Sequence, residues 1–303
     1  MAEIGPVKFA TVALEVTSRV LPRYRTTRSK HIFTQPQLLA TLLLMRFEDW
    51  TFRETEVRLL EHAELRNALA LKRVPDYTTL YRFMRRLDPE VLDKVLSDTI
   101  SSIPAAAPAR DAGMQIAVDG TGLASVSICT YFVKRTGGRP RRHYLKWVIA
   151  ADMDNFTIVA QVAHRGPTND TASLPELIEK SCRLRPVGLV LADAEFDSRQ
   201  NHDYIRNVAG AMSVIPATRS KVMGRATGVR AEMQNNFPAK LYSRRGLVET
   251  VFSMVKRKLS ARAPGRSLKP QILQTFLLGV AFNIYRLKRW LFRKPIALYI
   301  AHR

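Results

Sequence analysis

The run Val187-Gly-Leu-Val-Leu-Ala-Asp193 is the strongest constraint on the fold. It carries no charge until its last residue, so it offers solvent no polar face. That pattern predicts a strand buried in the middle of a sheet. A second segment, Met114-Gln-Ile-Ala-Val-Asp119, reads as a strand that also ends in a carboxylate. Further strands are predicted over Thr130–Lys134 and Arg142–Ala151, on either side of the basic tip Arg135-Thr-Gly-Gly-Arg-Pro-Arg141. Phe156–Ala163 and Met212–Pro216 complete the set. Helical patterns fall at Ser173–Leu184, Asp203–Val208, Arg244–Arg262 and Pro270–Arg289, so the region is of the α/β class.

The chain before this region has a different period. Gln35–Phe47 is an apolar helical run, and Thr51-Phe-Arg-Glu54 is a capping box that starts a helix running to about His62. Asp76 and Asp88-Pro89 mark the starts of two more helices. Residues 1–100 are therefore expected to form an all-helical module, with residues 1–30 as a partly ordered basic arm. The helix near Thr78–Leu87 carries Arg82, Arg85 and Arg86. It suits either a DNA-recognition helix or a core helix with Leu80, Phe83 and Leu87 inside. The small, proline-containing stretch 101–112 is the expected linker, and 113–303 the second domain.

Charge narrows the partners. Of 303 residues, 48 are Lys or Arg and 26 Asp or Glu, a net charge of +22. Such an excess favours a polyanion, and nucleic acid is the usual one. A membrane surface would call for one basic amphipathic segment, whereas here the charge runs from Arg19 to Arg303. No apolar run is long enough to span a bilayer, and the first residues lack a signal-peptide pattern. Cys129 and Cys182 give neither a disulfide framework nor a zinc spacing. An intracellular, soluble protein is expected.

The chemistry resides in acidic groups. An Asp followed by Gly, as at Asp119-Gly120, is in isolation most often a turn former. Asp193 is less ordinary, because an apolar run has no reason to end on a buried carboxylate. Adjacent strands would bring the two carboxylates together, where they repel unless a cation lies between them. Magnesium and manganese accept such hard oxygen ligands, and a pair of ions can clamp the attacking and leaving oxygens of a phosphoryl displacement. Tyr242, Arg245, Glu249 and Lys256 fall within roughly 60° of one another at the α-helical step. Val248, Val251, Val255 and Leu259 form an apolar stripe beside them. Read as surface pairs these charges are worth little; read with the two aspartates, Glu249 supplies a third carboxylate.

Together these segments resemble the DDE transposases of bacterial insertion sequences, in the branch marked by a Tyr-x2-Arg-x3-Glu-x6-Lys signature. The signature stands at Tyr242, Arg245, Glu249 and Lys256. Ala117-Val-Asp119-Gly-Thr121 and Leu191-Ala-Asp193-Ala-Glu-Phe-Asp197-Ser198 resemble the two Asp motifs. Gly166-Pro-Thr-Asn-Asp170 and Asn283-Ile-Tyr-Arg286 resemble two further ones. The resemblance covers most of residues 31–290 and departs from the pattern at Glu195, where a small residue is common.

It implies a ribonuclease H-like mixed five-stranded sheet with flanking helices, preceded by the helical module. It implies Asp119, Asp193 and Glu249 as catalytic metal ligands for magnesium or manganese, with two ions expected. Water activated there would cut DNA at a transposon end, and the freed 3′-hydroxyl would attack target DNA. Tyr242, Arg245 and Lys256 would contact DNA, as would Lys134, Arg135, Arg141 and Arg142 on the basic tip and Arg82 on the helical module. Double-stranded DNA is the implied partner, a homodimer on paired ends the implied unit, and the bacterial cytoplasm and nucleoid the implied place. Another ribonuclease H-like nuclease, or an inactive DNA-binding descendant, remains as an alternative. Trp147 and Trp290 are expected in the core or at its rim, and His143 and His164 as structural histidines.

Overall fold

The computed structural model describes residues 4–28, 31–102, 113–125, 144–218 and 227–291, with side chains through 287. Among these, α1 (Pro6–Val20), α2 (Gln35–Phe47), α3 (Phe52–Glu61), α4 (Ala63–Ala68), α5 (Tyr77–Arg86) and α6 (Pro89–Ser101) come first. The expected capping box is formed: Thr51 Oγ1 accepts from the Glu54 N–H at 3.2 Å and Glu54 Oε2 from the Thr51 N–H at 2.7 Å. Asp76 caps α5 by accepting from the N–H groups of Thr78 and Thr79, both at 2.9 Å.

The basic arm expected at residues 1–30 is instead largely a helix. Phe9, Ala10, Ala13 and Val16 recur at helical spacing and are buried, and α1 lies against α2. Its scattered charges fall on the other face, which hides the period from a reading by charge alone. α4 also extends the helical region beyond the expected stop at His62.

The second region is built on β1 (Met114–Ala124), β2 (Tyr144–Asp152), β3 (Thr157–Arg165), β4 (Val187–Ala192) and β5 (Met212–Val214). The sheet order is β3-β2-β1-β4-β5. β1, β2 and β3 form an antiparallel meander, and β4 and β5 run parallel to β1. This is the order and sense of a ribonuclease H-like sheet. The strand predicted over Thr130–Lys134 and the basic tip lie outside the described residues. Helix α7 (Leu174–Cys182) lies between β3 and β4 and α8 (Arg199–Asp203) between β4 and β5, and α9 (Val229–Asn235), α10 (Ala239–Tyr242), α11 (Gly246–Lys258) and α12 (Leu268–Leu291) follow β5. The sequence reading missed α9 and α10.

Alternation along the strands sorts the two faces. Ile116, Val118, Val190 and Ala192 point into a core shared with Leu177 and Ile178 of α7. Ala117, Leu123, Trp147, Leu189 and Leu191 point to the opposite core, which also holds Val251 and Val255 of α11. That second core continues without a break through Phe276, Leu277 and Val280 of α12 into Phe9, Leu39, Leu42 and Leu43 of α1 and α2. α12 is thus a wall between the sheet and the N-terminal helices, and it is apolar because both sides are covered. Among the described residues no helix is long and apolar enough to cross a membrane.

Two close approaches seat α12 on the sheet. Asn283 accepts from the Ile158 N–H at 2.9 Å and donates to the Ile158 carbonyl at 2.8 Å. It thereby pairs the outward backbone groups of edge strand β3, where the register with β2 shifts. Gly279 presents no side chain because Gln161 occupies the space a Cβ would need. Gln161 in turn accepts from the Trp147 indole N–H at 3.2 Å, so Trp147 is a core residue.

Candidate active site

Strand register decides the central question. Val118 of β1 is paired with Ala192 of parallel β4, so Asp119 and Asp193 follow as neighbours at the same edge. Both share the parity of Ala117 and Leu191, which places them on the face covered by α11. Asp119 Oδ1 accepts from the Gly120 N–H at 2.8 Å, and Asp193 Oδ1 from the Glu195 N–H at 2.9 Å. Burial raises the pKa of Asp119, and the charges of Asp193 and Glu249 add to the rise. Burial likewise raises that of Asp193, with the Glu195 charge adding to it. In both, burial is the largest cause, and the Arg245 guanidinium opposes it.

The signature segment is not one helix. Tyr242 ends α10, Ser243–Arg245 make a 3-10 turn, and α11 begins only at Gly246. The backbone nevertheless stays right-handed through the junction, with φ/ψ of −62°/−32° at Tyr242 and −54°/−36° at Arg245. The apolar stripe predicted at Val248, Val251, Val255 and Leu259 is buried, and Phe252 meets Trp147 edge to face at 5.8 Å. Docking of that stripe brings the charged side of α11 to the middle of β1, which runs on past the expected stop at Asp119 to Ala124, and to the end of β4.

Arg245 is the hub of the site. Its guanidinium lies 3.2 Å from Asp119 Oδ2 and 2.7 Å from Glu249 Oε1. Burial alone would lower its pKa, but the charges of Asp119, Tyr242 and Glu249 raise it. Glu249 is therefore turned toward Arg245, and its side chain is 59% exposed. Among the described residues no group of three acidic, His or Cys side chains stands ready to share a metal ion. Asp119 and Asp193 are brought together, and Glu249 stands across the guanidinium from them. Lys256, about two turns beyond Glu249 on α11, donates to Thr121 Oγ1 of β1 at 2.6 Å, and burial lowers its pKa. The Tyr242 ring rests against Phe237 at 5.0 Å and near Arg245 at 5.9 Å.

Lys146, absent from the sequence expectation, also shapes the site, as do Asp170 and Asp197 of the two motifs quoted above. Lys146 of β2 bonds Asp170 at 2.8 Å and Glu195 at 3.3 Å, and its charge lowers the Asp193 pKa. The Asp170 side chain is 2% exposed and backs onto Gly120, where an added Cβ would meet Asp170 Oδ2 at 2.6 Å. A lysine inside an otherwise apolar central strand was the readable signal for Lys146. Asp197, fully buried, accepts from Arg230 of α9 at 2.7 Å and from the Thr218 N–H at 2.8 Å. Burial pushes the Asp197 pKa up, and these bonds overturn that push and leave it lowered. Asp197 thus ties α9, and the chain leading to Tyr242, to the Asp193 turn.

His164 contacts Thr168 at 2.6 Å and Ser173 at 3.4 Å. Arg82 lies exposed on α5, whose Leu80 and Phe83 are buried, as is Leu87 just after it. Lys134, Arg135, Arg141, Arg142, His143 and Cys129 lie outside the described residues, as does the Trp290 side chain.

A sheet of this order, with one aspartate in mid-strand on β1, a second just past the end of β4 and a glutamate on the helix beside them, suits metal-dependent phosphoryl transfer. The Transposase DDE domain family matches residues 112–284, and the chain belongs to that family. It is a DDE-type DNA transposase. The chain is also similar to a piggyBac transposase, solved by cryo-electron microscopy as a synaptic complex with hairpin DNA. There the identity is 11% and the TM-score 0.49, over 94% of this chain and 75% of that one. No curated protein matches.

Proposed function

We propose that Asp119, Asp193 and Glu249 are the catalytic carboxylates of an insertion-sequence transposase of the Tyr-x2-Arg-x3-Glu-x6-Lys branch. It cuts phosphodiesters at transposon ends and joins the 3′-hydroxyl to target DNA. The observation that carries this reading is the pairing of Val118 with Ala192, which sets two aspartates side by side under Arg245 and Glu249.

The donor set fits a divalent cation. All three groups are hard oxygen donors, and the register sets the two aspartates side by side. Asp119 and Asp193 would hold magnesium or manganese, two ions in the full site, with Glu249 joining once Arg245 releases it. Bound there, the metal supplies Lewis-acid stabilisation of charge on the reacting phosphate. The chain's own groups do the rest. Arg245, when it leaves Glu249, offers two parallel donors to a phosphate. Lys256 neutralises the adjacent backbone, and Tyr242 lays its ring against a base or sugar. Lys146 and Asp170 hold the Asp193–Glu195 turn in place.

Double-stranded DNA is the substrate, as transposon ends and as target, with a homodimer bridging paired ends in the bacterial nucleoid. Residues 1–100, through Arg82 among others, act as the DNA-binding module, 101–112 as the linker and 113–303 as the catalytic domain. Lys134, Arg135, Arg141 and Arg142 follow the backbone. The test is a supercoiled plasmid carrying the element's ends, incubated with magnesium. Wild type is expected to nick the ends and give strand-transfer products, and Asp119→Ala to give neither. Cleavage that survives Asp119→Ala overturns the assignment, and cleavage without any strand transfer moves the protein to the hydrolytic nucleases.

A further inference from the structure

Asp119 is one of a row. Gln115, Asp119 and Thr121 stand at even steps on β1, so their side chains leave the same face of the strand. Each is met by a cation from the segment that runs into α11. Arg244 donates through Nη1 to Gln115 Oε1, Arg245 lies 3.2 Å from Asp119 Oδ2, and Lys256 donates to Thr121 Oγ1 at 2.6 Å. At the usual rise of a strand the row spans roughly 20 Å. The middle contact differs from the outer two. Arg245 grips Asp119 and, at 2.7 Å, Glu249, the groups proposed above to take up a cation. Gln115 and Thr121 are neutral, so the outer contacts do not draw on the carboxylates.

Arg244 and Arg245 are consecutive residues of the 3-10 turn Ser243–Arg245. In such a turn successive side chains point about 120° apart, so one can reach back along β1 while the other covers Asp119. The turn buries none of its residues, the buried stripe that docks α11 begins only at Val248, and the N-terminus of α11 has no side-chain cap. Polar contacts therefore seat the turn more than packing does. Gln115 is a firm anchor for one of them. Its carbonyl accepts from the Met153 N–H at 3.0 Å, and its backbone pairs with Leu189 of β4 just after the register shifts. The second contact of Arg244, 3.5 Å from Asp154 on the β2–β3 turn, joins side chains that are 32% and 45% exposed. An ion pair so open to water contributes little, which leaves the bond to Gln115 as the one that matters.

We propose that Arg244, through its bond to Gln115, is a positioning residue for the reaction: it seats the turn so that Arg245 falls on Asp119 and Glu249. This rests on the reading that those carboxylates take up a divalent cation. Arg244 touches no reacting atom. It keeps the backbone of the turn fixed, so that Arg245 gives way to a cation, or turns to a phosphate, by moving one side chain. A group that must meet a phosphate needs such support, because a misplacement of about 1 Å can cost on the order of 100-fold in rate.

The test is calorimetric titration of manganese into the full chain without DNA. Arg245→Ala frees Asp119 and Glu249 and is expected to bind about tenfold more tightly. Arg244→Ala should unseat Arg245 and tighten manganese by about three- to tenfold. Gln115→Leu should do the same although it alters no charge, which separates the seating of Arg245 from the loss of a distant cation. The double variant Arg244→Ala/Arg245→Ala should bind no more tightly than Arg245→Ala, because a side chain already removed cannot be unseated. On a plasmid carrying the element's ends, Arg244→Ala should lower kcat by about 10- to 100-fold and leave KM for the DNA unchanged. If Arg244→Ala or Gln115→Leu binds manganese as wild type does, or if the two arginine effects add in the double variant, the positioning role is overturned and the carboxylate reading stands. Wild type that takes up no manganese overturns the carboxylate reading, and this proposal with it.

Discussion

Arg245 is the cation that the carboxylates of the candidate site share. Its contacts at 3.2 Å to Asp119 and 2.7 Å to Glu249 supply positive charge to a site of like-charged carboxylates. Removing it should leave that charge unmet, so Arg245→Ala is expected to bind manganese about tenfold more tightly in calorimetry without DNA. The same variant should lose DNA cleavage. Unchanged metal affinity would show that Glu249 is held for structural reasons alone. The aspartates make a second prediction. Their raised pKa values mean that the folded protein keeps protons which the unfolded chain releases near pH 4 or so. Stability in EDTA should therefore fall as pH rises from the ordinary carboxylate value through the raised ones, and level off above them. Asp119→Asn should flatten that fall and raise the melting temperature at neutral pH, read by thermal melts across pH. A wild-type curve that climbs with pH through this window would contradict the burial argument.

At the scale of elements, one of the family-like motifs has a packing role. The Asn283-Ile-Tyr-Arg286 motif is a clamp: Asn283 pairs both outward groups of Ile158 and donates to Thr99 at 3.0 Å. Asn283→Ala strands a buried N–H and C=O and should cost on the order of 3 kcal/mol in denaturant unfolding, with the slope m unchanged. Much of this layer was legible. The apolar run Val187–Ala192, the capping box at Thr51 and the stripe on α11 have periods that only one element satisfies. What escaped has a physical reason in each case. α9 and α10 are seven and four residues long, too short to show a period. α1 shows one only when Phe9, Ala13 and Val16 are read apart from the charges around them. The turn Ser243–Arg245 cannot be seen in spacing, because 3-10 and α-helical steps differ little over three residues. Of the site, the two aspartates were legible and the hold of Arg245 on Glu249 was not, since a side chain's choice of partner depends on distances across the fold.

At the scale of the whole molecule, the net charge of +22 makes DNA affinity a matter of counterion release. With six to ten phosphate contacts, affinity should drop by about 10³- to 10⁵-fold between 50 and 200 mM salt, with a straight logarithmic plot in a filter-binding assay. A flat response would remove the case for a polyanion. The continuous core sets a different constraint. α12 belongs at once to the sheet and to α1, α2 and α6, and the apolar side chains on both of its flanks are covered. Recombination that gave this catalytic sheet a foreign DNA reader would have to bring along a matching bed for α12. Lineages carrying this architecture should therefore inherit their first hundred residues together with the catalytic half, and change what they recognise by point substitutions on outer helix faces and not by exchange of cassettes.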